Sequence, residues 1–286
     1  MPTYSFVTVD VFTDRRFGGN PLAVFPDARG LGDAEMQQLA AEFNLSETTF
    51  VLPPADPANT ARVRIFNRRA EMPFAGHPNV GTAWVLRDRG NKLRFEEIAG
   101  LVEVEIADGR PTIAAPQPLS LGAEMPADLL AGCVGLGARD IVTASHRPVL
   151  ATVGNSFVIA QVTGEALTRA APDISRFREA VKTYTAAGPD RLPLYLYAPD
   201  GEHIRTRMFS PLSGTIEDPA TGSAATPLAA LLLSLGGEAQ RRYDIVQGVE
   251  MGRPSKLLCT ARRTGDGIRA TVGGDCVPVL SGEVVL

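Results

Sequence analysis

Cysteine is scarce in this chain and does not form a pattern. The three cysteines, Cys133, Cys259 and Cys276, lie far apart in the sequence. An odd number of cysteines without a C-x-x-C pair indicates neither a disulfide framework nor a zinc site. The sequence therefore predicts no metal and favours a reducing, cytoplasmic setting.

Long hydrophobic runs are also absent. The longest, Ala224–Leu235, is shorter than the roughly 20 residues that a membrane-spanning helix needs. The first ten residues alternate as a strand does, and they lack the basic and apolar segments of a signal peptide. We therefore expect no membrane partner.

Neither sign of charge dominates. The chain has 28 Lys and Arg against 32 Asp and Glu, a net charge of −4, so nucleic acid is not an expected partner. Its 286 residues are 44% hydrophobic and 21% charged, as in a globular protein with ample core. This length fits one large domain or two of ordinary size.

The segment Glu217–Leu235 joins a small, polar, glycine-bearing loop to an apolar stretch of strong helix formers. A helix start presents unpaired N–H groups, and Gly222 and Ser223 would let a ligand approach them closely. With Asp218 at its rim, the segment is a candidate anion pocket. An ordinary capped core helix explains the same pattern, and for this segment alone it is the commoner case.

A second segment, Met72–Leu86, has the same texture. Gly76 and Gly222 stand 146 residues apart (222 minus 76), close to half the chain, which suggests an internal duplication. A helix that is apolar all round must be surrounded, here by a curled sheet. Helices are also predicted at Asp33–Phe43, Asp128–Leu136 and Asp173–Thr183, among many short strands.

Seven segments carry a resemblance to a known family, and they occur in the family's order over nearly the whole chain. The sequence resembles the PhzF-like family of phenazine biosynthesis-like isomerases and epimerases. The matching segments are Asp10–Thr13, Gly19–Val24, Asn44–Phe50, Ala75–Pro78, Arg207–Pro211, Glu217–Ser223 and Gln247–Ser255.

The resemblance implies an α+β fold like that of diaminopimelate epimerase. Two similar lobes would each wrap a mixed sheet around a central helix, with the active site in the cleft between them. The first lobe would span residues 1–117 and be completed by the last strand, about 278–286, while the second would span 118–277. Members of the family are typically homodimers that use no cofactor or metal.

Glu47 matches the catalytic glutamate of the family, a general acid and base that moves a proton between carbons. Such a carboxylate works best when burial raises its pKa toward neutrality. The flanking Leu45 and Thr48–Phe50 would supply a partly apolar setting. Judged on spacing alone, a surface glutamate at a turn is the commoner case.

The resemblance also implies substrate contacts near the two helix starts and one turn. For His77, a helix N-terminus favours the neutral imidazole, although this side chain could instead satisfy helix N–H groups. No second histidine stands at metal-ligand spacing. Asn20 could line the pocket or hold the turn. The predicted substrate-binding residues are Asn20, Gly76, His77, Asp218, Gly222 and Ser223.

Related racemases of this fold use two cysteines, one at each helix start. The matching positions here are Ala75 and Thr221, and no cysteine lies near either in the sequence. An exchange of protons between two thiols is therefore not expected. A proton shift driven by a carboxylate, on an activated carbon such as an allylic one, fits the residues better.

The predicted function is a cofactor-independent isomerase that moves a proton within a small, carboxylate-bearing metabolite. The namesake reaction of the family is the isomerisation of trans-2,3-dihydro-3-hydroxyanthranilate. Two alternatives stay open at this stage. One is a binding or interaction protein that keeps the fold without catalysis, and the other is a hydrolase with Ser223 as nucleophile, which lacks a G-x-S-x-G elbow.

Overall fold

The computed structural model describes all 286 residues as two compact units. The first unit comprises Met1–Ala114 and Gly273–Leu286, and the second comprises Ala115–Val272. The lobes expected from the sequence were 1–117 with about 278–286, and 118–277. None of the helices is both long enough and apolar enough to cross a membrane.

The elements are mostly short strands. The helices are α1 (Asp33–Phe43), α2 (Gly76–Val85), α3 (Ala127–Cys133), α4 (Gly164–Arg169), α5 (Ile174–Thr183) and α6 (Gly222–Ser234). The strands are β1 (Thr3–Val11), β2 (Asn20–Phe25), β3 (Glu47–Leu52), β4 (Ala61–Phe66), β5 (Glu71–Met72), β6 (Lys92–Glu97), β7 (Gly100–Ala107), β8 (Arg110–Ala114), β9 (Ser120–Glu124), β10 (Ile141–Val142), β11 (Val149–Thr152), β12 (Ser156–Val162), β13 (Leu194–Asp200), β14 (His203–Ser210), β15 (Thr215–Asp218), β16 (Gln240–Gln247), β17 (Ser255–Thr264), β18 (Gly267–Gly273) and β19 (Cys276–Val285).

The sheet of the first unit is mixed. Its strands pair in the order β19, β1, β2, β3, β4, β6, β7, β8, with β5 added beside β4. The pairs β2–β3 and β4–β6 are parallel, and the others are antiparallel. The last strand of the chain, β19, pairs with β1 over nearly its whole length.

The second unit repeats this pattern. From β11 through β12, β13, β14 and β16 to β17, the pairings run antiparallel, parallel, antiparallel, parallel and antiparallel. The series from β1 through β2, β3, β4 and β6 to β7 has the same sequence of directions. Helices α2 and α6 occupy the same place in the two series, and the predicted duplication is therefore visible in the topology.

Each unit surrounds one helix, as the apolar composition of both helices predicts. In the first unit α2 contacts β1, β2, β3, β7 and β8, and in the second α6 contacts β11, β12, β16 and β17. Gly81 lets α2 approach its sheet, because a Cβ at this position would lie 2.6 Å from the Leu22 side chain and 2.8 Å from that of Val11. The observed architecture is α+β, with a mixed sheet around a central helix in each unit.

The periodicity was a good guide to the long elements and a poor one to the short ones. Helix α1 has the predicted bounds, while α3 ends at Cys133 rather than at Leu136. Five short elements of two to six residues have no clear signal in the sequence: β5, β9, β10, β15 and α4. All five residues of β9 are exposed, so its sequence has no apolar alternation to detect.

Candidate functional site

Glu47 is the first residue of β3, an interior strand of the first unit. It pairs with Leu22 of the parallel neighbour β2, and the rest of its strand is mostly buried. Its side chain is 16% exposed. The predicted catalytic carboxylate is therefore half-buried at the end of a strand whose position is fixed on both sides.

His77 lies in the first turn of α2, next to Glu47. Its Nδ1 is 3.4 Å from Glu47 Oε2, and its side chain is 6% exposed. A buried hydrogen bond of 2.8 Å between Thr49 Oγ1 and Thr82 Oγ1 connects β3 to α2, the elements that carry Glu47 and His77. Glu47 and His77, distant in sequence, therefore lie side by side and form a candidate acid/base pair.

Burial determines the protonation state of His77. It lowers the pKa of the imidazole to about 3, so the ring is neutral near pH 7. A neutral ring has one N–H and one lone pair. The Nε2 atom is buried and has no hydrogen-bond partner within the protein, which is uncommon for a buried polar atom.

Asn20 is placed beside this pair by the turn that precedes β2. It is buried, and its Oδ1 accepts a hydrogen bond of 3.0 Å from Ser46 Oγ, one residue before Glu47. Gly19 precedes it with φ +62°, and a Cβ there would lie 2.3 Å from the carbonyl oxygen of Val11. Asn20 thus links its turn to the start of β3, and a substrate contact by Asn20 stays a prediction.

Gly76 is the first residue of α2, after the N-cap residue Ala75. Two hydrogen bonds fix the segment that leads into this helix. The backbone N–H of Ala99 donates to the carbonyl of Pro73 at 3.1 Å, and Asn79 Nδ2 donates to the carbonyl of Ala75 at 3.0 Å. The first turn of α2, and with it the backbone of Gly76 and His77, is therefore fixed from both sides.

The second unit holds the other predicted residues. Asp218 is buried at the end of β15, and its Oδ2 accepts a hydrogen bond of 2.5 Å from Thr221 Oγ1. Gly222 and Ser223 open α6, with Thr221 as N-cap and Ser223 half-buried. The three predicted residues of this unit therefore lie within one short loop and helix start.

Gln247, at the end of β16, organises that loop, and its role was missed by the sequence analysis. Its Nε2 donates to the carbonyl of Asp218 at 2.7 Å and to Thr221 Oγ1 at 3.0 Å. Its Oε1 accepts from the backbone N–H of Thr221 at 3.2 Å and from Tyr195 OH at 3.1 Å. The only signal in the sequence was its place in the matching segment Gln247–Ser255.

The two matched loops share an ion pair of the same geometry, which is more exposed in the first unit than in the second. In the second unit Arg207 Nε and Nη2 donate to Glu217 at 2.7 and 2.9 Å. In the first unit Arg64 Nε and Nη2 donate to Glu71 at 2.7 and 2.6 Å. A two-pronged contact of this kind fixes the direction of a loop as well as neutralising its charge.

These ion pairs align the two loops residue by residue. Glu71, Pro73 and Gly76 in the first correspond to Glu217, Pro219 and Gly222 in the second, a shared E-x-P-x-x-G pattern. By this alignment His77 corresponds to Ser223. Ala75 and Thr221, the positions predicted to match the catalytic cysteines of racemases, are the N-cap residues of α2 and α6.

The cysteines themselves are buried and unpaired. Burial raises the pKa of Cys133 to about 12 and that of Cys259 and Cys276 further. Thiolates are therefore disfavoured at all three positions. The structure has no group of three or more His, Cys, Asp and Glu side chains arranged to hold a metal ion.

A cavity of about 420 Å³ lies elsewhere in the second unit, between the β13–β14 hairpin, the end of α6 and β16. Its lining includes Tyr197, Leu232 and Tyr243 but none of the predicted site residues. We therefore base the site on the acid/base pair of the first unit.

Comparison with known proteins shows the family that this chain resembles. The family model described as "Phenazine biosynthesis-like protein" matches residues 9–282. A trans-2,3-dihydro-3-hydroxyanthranilate isomerase of Pseudomonas aeruginosa is 35% identical, over 99% of this chain and 100% of its own. An uncharacterized isomerase of Mesorhizobium japonicum is 34% identical over the full length of both chains.

Solved structures show the same fold. A PhzF-family phenazine biosynthesis protein of Bacillus anthracis covers both chains fully, with a TM-score of 0.88 and 26% identity. A hydroxyproline epimerase of Agrobacterium vitis, at 12% identity, has a TM-score of 0.63 over 99% of this chain and 91% of its own. The second likeness concerns the fold alone, which is of the diaminopimelate epimerase type, as predicted.

Proposed function

Because the chain belongs to the phenazine biosynthesis-like (PhzC-PhzF) family and is an isomerase of that family, we propose that Glu47 carries the proton that its reaction moves. The proposed reaction is a proton shift between two carbons of a small, carboxylate-bearing metabolite. It needs no cofactor in this proposal, because one carboxyl group can both accept and return the proton.

The observation that supports this proposal most is the pairing of Glu47 Oε2 with His77 Nδ1 at 3.4 Å. A general base needs a fixed position near its partner, and both side chains here are held by interior elements of one unit. His77 stays neutral near pH 7, so it can orient the carboxyl group through a hydrogen bond without forming a permanent ion pair.

The proposed step conserves atoms and charge. Glu47, as carboxylate, takes a proton from an activated carbon, and the electron pair of that C–H bond moves into the adjacent conjugated system. The same carboxyl group then returns the proton to another carbon of that system. His77 holds Glu47 in place during both transfers, and the unpartnered Nε2 can accept a hydrogen bond from the substrate.

The substrate is proposed by likeness. The Pseudomonas aeruginosa relative is named for trans-2,3-dihydro-3-hydroxyanthranilate, and a compound of this type is the first candidate. It has the features that the proposed step requires: an activated allylic carbon, a conjugated system and a carboxylate. In this proposal Asp218 orients a hydroxyl or amine of the substrate, and the backbone at Gly76, Gly222 and Ser223 serves its carboxylate. Contact by Asn20 and assembly as a homodimer stay predictions.

Incubation with this compound in deuterated water tests the proposal. We expect turnover, followed by proton NMR, with deuterium at the carbon that receives the proton to the extent that the proton on Glu47 exchanges with solvent between the two transfers. A Glu42→Gln variant is the control, because Glu42 is an exposed residue at the end of α1. Turnover by Glu47→Gln at the rate of this control would refute the role of Glu47, and absence of turnover by the native chain would refute the substrate.

A further inference from the structure

Glu97, the last residue of β6, is a carboxyl group in a position that faces the core. Along β6, Leu93 and Phe95 are buried, and Arg94 is exposed. Since side chains alternate along a strand, Glu97 lies on the same face as the two buried apolar residues. Its neighbour Glu96 lies on the opposite face.

The carboxyl of Glu97 is poorly solvated. Both of its oxygens are buried, and neither accepts a hydrogen bond of regular length and angle. The Oδ1 atom of Asn79, a fully buried residue of α2, also has no partner. A buried carboxylate without hydrogen bonds is strongly disfavoured, whereas a protonated carboxyl brings a donor that a neighbouring amide oxygen can accept.

The role of Glu97 can be inferred from the residue that occupies the corresponding position in the second unit. In the parallel pairs, Arg62 is opposite Glu96 and Arg205 is opposite Val246. These two arginines each stand two residues before the ion-paired arginines Arg64 and Arg207. Glu96 therefore corresponds to Val246, and the next residue of each strand, Glu97, corresponds to Gln247.

Gln247 holds the start of its helix through both ends of its amide. It donates to Asp218 and Thr221 and accepts from the N–H of Thr221. A protonated carboxyl has the same planar shape as an amide and also presents both a donor and an acceptor, with one O–H where the amide has two N–H bonds. A carboxylate has no donor and could not replace an amide in this place.

We propose that Glu97 is a positioning residue that, in its protonated form, holds the start of α2 as Gln247 holds the start of α6. This inference rests on the proposed function only for its effect on activity. The Asn79 amide, which donates to the Ala75 carbonyl, connects Glu97 to the N-cap of α2. The residue held in place in this way is His77, two positions after Ala75.

The electrostatics agree with a protonated Glu97. Burial raises its pKa to about 8, and the Asn79 amide opposes the rise. No charged neighbour contributes to this shift. On β7 the residue opposite Glu97 is Gly100, on α2 the titratable group is the neutral His77, and Arg62 of β4 lies opposite Glu96 instead.

Glu96 provides a matched control from the adjacent position. Its carboxylate accepts hydrogen bonds from the N–H groups of Ala55 and Asp56 and from Asn59 Nδ2, and these contacts lower its pKa. The two neighbouring glutamates therefore have opposite requirements. Replacement by glutamine should preserve the contacts of Glu97 and disrupt those of Glu96.

The first test measures structure and needs no substrate. Carbon-13 NMR of labelled glutamate carboxyls, assigned with Glu97→Gln, should show one group titrating well above pH 6. The nitrogen-15 signals of His77 should keep their native positions in Glu97→Gln and Glu96→Gln and shift in Glu97→Ala and Asn79→Ala. Native His77 signals in Glu97→Ala, or a Glu97 carboxyl that titrates near pH 4.5, would overturn the inference.

The second test measures activity. We expect Glu97→Ala to lower kcat roughly 10²-fold with a smaller effect on KM, because a displaced catalytic pair slows chemistry. Glu97→Gln should restore kcat and remove the loss of activity that ionisation of Glu97 causes above about pH 8. If Glu97→Gln is as slow as Glu97→Ala while both are folded, the inference is wrong. If the native chain has no isomerase activity, the NMR result alone decides it.

Discussion

The two units of this molecule have similar scaffolds and different chemistry. Each has a mixed sheet with the same order of strand directions, a central helix and an E-x-P-x-x-G loop before that helix. Each also has an arginine that pairs with the loop glutamate and stacks on a phenylalanine, Arg64 on Phe66 at 5.1 Å and Arg207 on Phe209 at 4.8 Å.

The candidate acid/base pair of Glu47 and His77 occurs in the first unit alone. Thr48 is opposite Phe66 and Leu194 is opposite Phe209, so Glu47 corresponds to Pro193. His77 corresponds to Ser223 by the shared loop pattern. Neither proline nor serine titrates near pH 7, and the second unit therefore has no equivalent acid/base pair.

The second unit in turn has a carboxylate at a loop position where the first unit has none. Asp218 of the second unit corresponds to Met72 of the first. The comparison teaches that the residues common to both units hold strands and helix starts, whereas those that differ are the candidates for chemistry. The predictions below test this division.

The largest effect is expected at Glu47. We expect Glu47→Gln to lower kcat by about 10²–10⁴-fold, the usual contribution of a general acid/base, with the fold intact. The measurement is steady-state isomerisation beside circular dichroism. A loss of less than about tenfold would mean that the difference between Glu47 and Pro193 is not the catalytic one.

A large loss of stability is expected at the shared ion pairs. Arg207→Ala leaves the carboxylate of Glu217 buried without its partner, which should cost about 3–5 kcal/mol in the free energy of unfolding. Arg64→Ala should cost less, because its partner Glu71 is more exposed. Urea unfolding of both variants measures the difference. Equal losses would contradict the assignment of burial as the cause.

The stability of the protein in acid should depend on His77, whereas the corresponding residue of the second unit, Ser223, does not titrate in this range. The pKa of His77 is about 3 in the folded protein and about 6.5 in an unfolded chain, so the unfolded state binds more protons between these values. The stability associated with the neutral ring is complete above about pH 6.5 and is lost as pH falls toward 3. His77→Asn should remove up to about 1.4 kcal/mol per pH unit of this slope.

Unfolding in urea at several pH values between about 4 and 7 measures this slope. His203→Asn is the control, because His203 is exposed in the β13–β14 hairpin. The two variants should differ in slope. Identical slopes would show that burial of His77 does not limit stability in acid.

The smallest effect is expected at Asp218. If Asp218 orients the substrate, Asp218→Asn should raise KM about tenfold, or about 1.4 kcal/mol, with a smaller change in kcat. Asp200→Asn, an exposed change in the same unit, is the control. A fall in kcat as large as that of Glu47→Gln would place Asp218 in the chemistry and abolish the proposed division of roles.

Much of the fold was predictable from the sequence because it depends on local periodicity. The bounds of α1 follow from an apolar face that ends at Asn44, which adopts a left-handed conformation with φ 52°. Short or fully exposed strands such as β9 have no such pattern. Strand pairing between distant residues, such as that of β1 with β19, is decided by the tertiary structure.

The sequence predicted which residues belong to the candidate site but not how they are arranged. Asn20, Glu47, Gly76 and His77 fall together in the first unit, and Asp218, Gly222 and Ser223 in the second. The contribution of Gln247 could not be inferred, because its partners lie 26 and 29 residues away and nothing local indicates an amide at that place.

By itself, the sequence determined the two apolar helices, the glycines at their starts and the absence of a cysteine pair, all of which are properties of short segments. Only the tertiary structure decided that Glu47 meets His77 and that Glu97 stands where Gln247 stands. The physical reason is that distances and pKa shifts arise from packing between distant segments, and burial, which controls both protonation states, is a property of the folded chain.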